Sequence, residues 1–141
     1  MTLREQGRVA ESRAYNTVHG TWYYFTVDDG QIDRDGYYLI IGTLCSYLSL
    51  KAYYEKKNMG ENEFVVPIYV EVETGERLMR AVKREREQEN PKYTELCRRF
   101  MADEEDFSEE KLSAAGITKR YDNLDFISCF CKIKDEILQN M

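Results

Sequence analysis

Two runs of mostly hydrophobic residues constrain the fold of this chain more than any other feature of its sequence. They cover residues 37–42 and 64–72. A run without polar alternation is typical of a strand that is covered on both faces, as in a parallel sheet flanked by helices. Residues 46–57, between the runs, have helical spacing, with Leu48 and Tyr53 on one side. The pattern predicts a β-α-β unit in an α/β fold.

The segment before these runs has the composition of a β-hairpin. Residues 8–15 and 21–27 alternate and are rich in Val, Tyr, Phe and Thr. Asp28, Asp29 and Gly30 then form a turn signal. We therefore predict a two-stranded hairpin that precedes the α/β core.

Capping and breaking residues predict the elements that follow the second run. The expected elements are a helix from an N-cap at Thr74 to Arg86, a helix over 92–106, a short helix ended by Gly116, a strand over 117–121 and a helix over 124–138. Gln88 to Pro91 separates the first two helices, so both are expected to be charged, adjacent and joined by a turn.

The charge of the chain is acidic overall but uneven. The formal net charge is −6, which argues against a nucleic-acid partner. The basic residues concentrate in the two charged helices; they are Arg77, Arg80, Lys83, Arg84, Arg86, Arg98 and Arg99. A local cationic face on an acidic chain suits a small phosphate compound better than a long polyanion.

The cysteines and the apolar segments exclude several other classes of protein. Cys45, Cys97, Cys129 and Cys131 match no zinc spacing, and the chain has one histidine, so we predict reduced thiols and no metal site. No apolar run approaches the length of a membrane span, and the first residues are polar. The expected location is the cytoplasm, without a membrane partner.

Two groups of residues could bind a nucleotide. Glu11 and the hydroxyls of Tyr23 and Thr26 could read a purine edge and hold a phosphate, since guanine offers two adjacent donors to one carboxylate. The alternative is a solvent-facing glutamate on an aromatic hairpin. Arg80 and Arg84 share a helical face, and arginine forks bind phosphate oxygens bidentately. The alternative here is a solvated face that pairs with neighbouring glutamates.

Four segments together resemble guanylate kinases, in the order and with nearly the gaps of that family. They are Glu11 followed by Gly20-Thr21-Trp22-Tyr23-Tyr24, then Arg80-Ala81-Val82-Lys83-Arg84, then Arg98-Arg99-Phe100, and finally Tyr121-Asp122-Asn123-Leu124-Asp125. The resemblance implies one domain over 1–141, with a nucleotide-monophosphate-binding lobe at 8–35, a core at 37–72 and 117–141, and a lid region at 74–115.

The same resemblance implies a role for each matching residue. Glu11 would bind the guanine edge of GMP, Tyr23 the GMP phosphate, and Thr26 would assist. The arginines Arg80, Arg84 and Arg99 would neutralise the transferring phosphate, and Asn123 would lie near the adenine of ATP. ATP and Mg²⁺ are the cofactors that the intact family uses for this phosphoryl transfer.

Two departures from the family weaken the expectation of catalysis. The family's acidic positions on one core strand are Ile40 and Gly42 here, and no Gly-x-x-x-x-Gly-Lys-Ser/Thr P-loop occurs in the 141 residues. We therefore expect a truncated, inactive fragment that binds GMP weakly. The alternative is a non-catalytic guanylate-kinase-like binding module. Loss of the first P-loop strand would leave apolar edges at 39–41 and 65–70, which predicts a homodimer. The alternative is that the two strands close the gap within one chain.

Overall fold

A computed structural model describes residues 2–17, 20–32, 36–57 and 65–139 of the chain. The chain divides into two compact units, over Met1–Val66 and Pro67–Met141. The predicted lobe at 8–35 lies in the first unit, and the predicted lid region at 74–115 lies in the second. Each unit combines helices with a two-stranded sheet, so the predicted mixture of helices and strands is confirmed.

The first unit is a β-hairpin packed on one helix. Strands β1 (Val9–Thr17) and β2 (Gly20–Val27) pair antiparallel, with an irregularity in the register between Val9 and Glu11. Helix α1 (Leu44–Lys57) contacts β1. The predicted hairpin and helix are thus confirmed, with α1 beginning two residues earlier than its predicted start at residue 46. The buried cluster that joins them contains Ala10, Leu50 and Tyr54.

The predicted strand over residues 37–42 is wrong. Residues 37–43 form no helix or strand, and the five large side chains from Tyr37 to Ile41 are all exposed, Ile41 completely. A strand needs hydrogen-bonding neighbours, and an apolar run that finds none among the described segments stays irregular. Hydrophobicity alone therefore did not determine the structure of this segment.

The second unit contains a parallel strand pair and four helices. Strand β3 (Tyr69–Glu71) runs parallel to β4 (Arg120–Asp122), as expected for an α/β core. The helices are α2 (Thr74–Arg86), α3 (Tyr93–Asp106), α4 (Glu109–Ala114) and α5 (Phe126–Gln139). All four were predicted within about two residues, but the run at 64–72 forms a strand only over β3, and residue 64 lies outside the described residues.

The ends of two helices show how local chemistry fixes this unit. The N-cap of α2 is Glu73 rather than the predicted Thr74, because its carboxylate accepts the N–H groups of Gly75 and Glu76 at 2.9 Å each. These two bonds lower the pKa of Glu73. Gly116 adopts a φ of 73°, and the N–H of Ile117 donates to the carbonyl of Leu112. This is the Schellman arrangement, so the predicted helix stop at Gly116 is confirmed.

Within the described residues, none of the helices combines the length and the apolar character that crossing a bilayer would require.

Candidate nucleotide site

The first candidate site residues lie on one face of the hairpin. Glu11 stands opposite Thr26 in the strand register, and the Thr26 hydroxyl donates to the Glu11 carboxylate at 3.0 Å. The second carboxylate oxygen of Glu11 forms an ion pair with the Nε of Arg13, and Glu11 is only 4% exposed. A nucleobase edge could reach this carboxylate only if the Arg13 guanidinium moved aside.

Tyr23 lies on the other face of the same hairpin. It pairs with Ala14, three residues from Glu11, and side chains alternate between the two faces of a strand. Of the neighbours Tyr23 and Tyr24, it is Tyr24, opposite Arg13, that lies on the Glu11 face. Its ring packs edge-on against the ring of Tyr15, with 5.6 Å between the centroids. The structure therefore brings Glu11 and Thr26 together and separates Tyr23 from them.

The second unit brings together two predicted residues that are 43 positions apart in the chain. The Arg80 guanidinium donates to the backbone carbonyls of Asn123 at 2.8 Å and Leu124 at 3.0 Å. Its Nε donates to the carboxylate of Glu76, one turn earlier on α2, at 2.7 Å. Arg80 therefore joins α2 to the loop that follows β4, and its own charge is already compensated.

Two adjoining clefts lie beside this contact, the smaller along β3 and the larger at the carboxyl ends of β3 and β4. The smaller has a volume of about 90 Å³ and is lined by Tyr69, Val70, Glu71, Val72, Arg77 and Asn123. The larger is an open groove of about 490 Å³ lined by Glu71, Val72, Glu73, Thr74, Asp122 and Leu124. The carboxyl ends of parallel strands are where α/β folds most often bind ligands.

The other two predicted arginines differ in their surroundings. Arg99 is exposed and lies 3.5 Å from the carboxylate of Glu95, which also binds the neighbouring Arg98 through two hydrogen bonds. These contacts lower the pKa of Glu95, with the Arg98 bond as the main cause. The guanidinium of Arg84 is exposed, and no described residue forms a hydrogen bond or ion pair with it. Arg84 is thus available to an incoming anion.

Two further arginines shape this region but were not predicted as site residues. Arg77 pairs with Glu104 and lies over the ring of Phe100, 4.6 Å from its centroid, so it joins α2 to α3. Arg120, on β4, binds both Glu71 and Glu109, which raises its pKa. The place of Arg77 in the basic set of the two charged helices could have indicated the first role. Nothing in the sequence near Arg120 indicates the second.

The described residues contain no group of three or more His, Cys, Asp or Glu side chains that could hold a metal ion. Comparisons of the chain with protein-family models, with characterised proteins and with solved structures gave no match.

Proposed function

We propose that this chain is a guanylate-kinase-like nucleotide-binding protein of the cytoplasm, related to enzymes that transfer a phosphoryl group from ATP to GMP. The observation that carries the proposal is the contact between Arg80 and the backbone of Asn123. The resemblance assigns both residues to one nucleotide site, and the contact holds α2 against the loop that carries Asn123. Their proximity beside the open groove at the ends of β3 and β4 supports a common site.

In this proposal the arginines have different roles. Arg80 positions α2, because its donors are already bound to Glu76 and to two carbonyl groups. Arg84 supplies an uncompensated charge to phosphate, and Arg99 adds a second charge that Glu95 partly neutralises. Arginine on two neighbouring helices suits phosphoryl transfer, where catalysis consists largely of positioning and charge stabilisation.

GMP would be read on the hairpin by Glu11, with Thr26 holding one carboxylate oxygen in place. The Arg13 guanidinium would leave Glu11 for the GMP phosphate, since a free anion competes for the same cation. Tyr23, on the opposite face, would contact GMP only after a change in the hairpin, whereas Tyr24 already shares the face of Glu11.

Phosphoryl transfer by the 141 residues alone is not part of the proposal. No P-loop motif is present to cradle the β- and γ-phosphates, and Ile40 and Gly42 replace the acidic residues of the family. Mg²⁺ would bind mainly through the phosphates of ATP, since this ion usually keeps waters and substrate oxygens as ligands. We expect no turnover of GMP above background in a coupled assay with the purified chain.

A non-catalytic binding module is the second candidate. The exposed side chains of Trp22, Tyr23, Tyr24 and Phe25 favour it, because large aromatic residues dominate protein interfaces. Measurable affinity for nucleotides would favour the first candidate, and protein binding without nucleotide binding would favour the second.

Arg84 provides the sharpest test of nucleotide binding. Calorimetric titration with Mg²⁺-ATP should give a weak but measurable affinity, and Arg84→Ala should reduce it about tenfold, as expected for one lost charged contact worth about 1.4 kcal/mol. The matched control is Lys83→Ala, which removes an equally exposed cation from the neighbouring helix position. Equal losses in both variants would mean that general charge, rather than a site, attracts the nucleotide.

The guanine site is tested separately with GMP and AMP. We expect GMP to bind more tightly than AMP, and Glu11→Gln to abolish the difference, because an amide offers one acceptor and two unwanted donors to guanine. Ser12→Ala, on the opposite face of β1, is the control and should preserve the preference. Equal affinity of the unmodified chain for both nucleotides would contradict Glu11 as the guanine reader.

A further inference from the structure

Strand β2 lacks the features that usually protect the edge of a sheet. Its residues are Gly-Thr-Trp-Tyr-Tyr-Phe-Thr-Val, with no charged residue and no proline. It pairs with β1 on one side, and this sheet has no further strand in the part of the chain that the structure describes. Natural edge strands are normally short, charged, bulged or interrupted by proline, because an unprotected edge recruits other strands.

The side chains of β2 are also exposed on both faces of the hairpin. Trp22 and Tyr24 project on the Glu11 face, and Tyr23 and Phe25 project on the other. All four side chains are exposed, from 49% for Tyr24 to 73% for Tyr23. A two-stranded ribbon is only marginally stable by itself, and exposed aromatic rows on both faces are stabilised when further strands extend the sheet.

We propose that β2 pairs antiparallel with β2 of a second copy of this chain, so that two hairpins form one four-stranded sheet across a two-fold axis. In antiparallel pairing about a two-fold axis, the central residue of β2 lies opposite its own copy, where a charge would be repelled. The chain has a formal net charge of −6, yet β2 has no charge at all. This combination favours self-pairing over pairing with a charged partner strand.

The aromatic residues suit this arrangement. Antiparallel pairing about the middle of β2 sets Tyr23 and Tyr24 of one copy beside the same central residues of the other, and aromatic cross-strand pairs stabilise sheets. The contact is isologous, so it consumes the β2 edge of both copies. The outer edges of the four-stranded sheet are then the β1 strands, whose charged residues Glu11 and Arg13 oppose further strand addition.

The segment at 39–41, at which the sequence predicts a dimer contact, offers a weaker surface. Leu39, Ile40 and Ile41 are exposed and apolar, but they form no strand and therefore present no ordered row of hydrogen-bonding groups. Strand addition is guided by main-chain hydrogen bonds from an edge that is already formed. The homodimer is therefore assigned to β2.

Light scattering over a dilution series of the full chain tests the proposal. We expect a dimer mass at micromolar protein, and the double variant Tyr23→Lys/Phe25→Lys should shift the midpoint of dissociation at least tenfold towards higher concentration. The matched control, Leu39→Lys/Ile41→Lys, places the same charges on the competing segment and should leave the midpoint unchanged. A monomer mass at all concentrations would overturn the proposal, as would dissociation caused by the control variant instead.

Hydrogen exchange of the unmodified chain provides a second measurement that does not depend on the variants folding. Amides of residues 22–25 should exchange more slowly at high protein concentration, whereas amides of α1 should not change. Exchange at residues 22–25 that is independent of concentration would overturn the proposal.

Discussion

Different polar contacts stabilise the inside of each of the two units of this protein. In the first unit, one buried carboxylate accepts hydrogen bonds from several groups: Asp28 binds the ammonium of Lys57, the hydroxyl of Tyr53 and the N–H of Gly30. In the second unit, arginines donate to several acceptors, and Arg80 binds one carboxylate and two carbonyl groups. A carboxylate can be neutralised by acid, whereas the carbonyl partners of Arg80 do not titrate.

The units also differ in the number of apolar side chains that they bury. The first buries Leu44 and a small cluster around Leu50 and Tyr54, and it leaves residues 37–41 exposed. The second buries Leu112 almost completely, and it also buries Leu96, Ile117 and Tyr121. A unit with a small core depends more on its polar contacts. We therefore expect the first unit to be the more sensitive to acid and the second to core truncation.

The largest effect should come from Leu112→Ala. This side chain is 1% exposed, so truncation should lower the free energy of unfolding of the second unit by about 3 kcal/mol. The same change at Leu50 in the first unit should cost about 2 kcal/mol, because a small cluster relaxes into the cavity more easily. Hydrogen exchange of the amides, measured in denaturant and followed separately in each unit, gives both free energies. A larger loss at Leu50 would reverse the comparison.

The next effect concerns Asp28. The hydrogen bond from the Lys57 ammonium is the main reason that the pKa of Asp28 lies below its usual value, even though burial raises it. A lowered pKa stabilises the folded state at pH values above the unfolded pKa of about 4, and this stabilisation is lost as pH falls through the folded-state pKa. The hairpin amides should therefore lose protection below about pH 4. The second unit should lose less, because the lowered pKa values of Glu73 and Glu95 belong to solvent-accessible side chains, whose contribution to stability is screened by water.

Asp28→Ala should reproduce this loss at neutral pH and remove the acid dependence. We expect a destabilisation of about 2 kcal/mol, because the Tyr53 hydroxyl and the Gly30 N–H lose their acceptor. The control is Asp29→Ala, at an exposed neighbour that binds Gln31 alone among the described residues and should change stability by about 0.5 kcal/mol or less. Equal effects at both positions would show that the turn, rather than the buried carboxylate, stabilises the unit.

The smallest effect separates the two arginines of α2, Arg80 and Arg84. Arg80→Ala should lower the stability of the second unit by about 1 kcal/mol, since three hydrogen bonds are lost from a partly exposed side chain. Arg84→Ala should change stability by less than about 0.5 kcal/mol while weakening nucleotide binding. Thermal unfolding of the two variants checks this, and a destabilised Arg84→Ala protein would mean that Arg84 has a structural partner.

Much of the fold could be predicted because its signals are local. Alternation over β1 and β2, helical spacing over α1 and the glycine stop at Gly116 all appear in the structure. The segment at 37–42 shows the limit, because its hydrophobicity does not provide neighbouring strands. The sequence predicts the N-cap of α2 at Thr74, one residue late, because the carboxylate of Glu73 accepts the free N–H groups at the start of the helix.

The candidate site was predictable only as a set of residue types. The sequence by itself determined which residue types are available and how far apart they lie along the chain. These residues are Glu11, Thr26, Arg80, Arg84, Arg99 and Asn123. Tertiary structure decided which of them meet: strand register put Thr26 beside Glu11 and Tyr23 on the opposite face, and folding brought Asn123 to Arg80. The reason is physical, because spacing along a chain fixes neighbours within a helix or strand, whereas contacts between elements depend on pairing and packing across the whole unit.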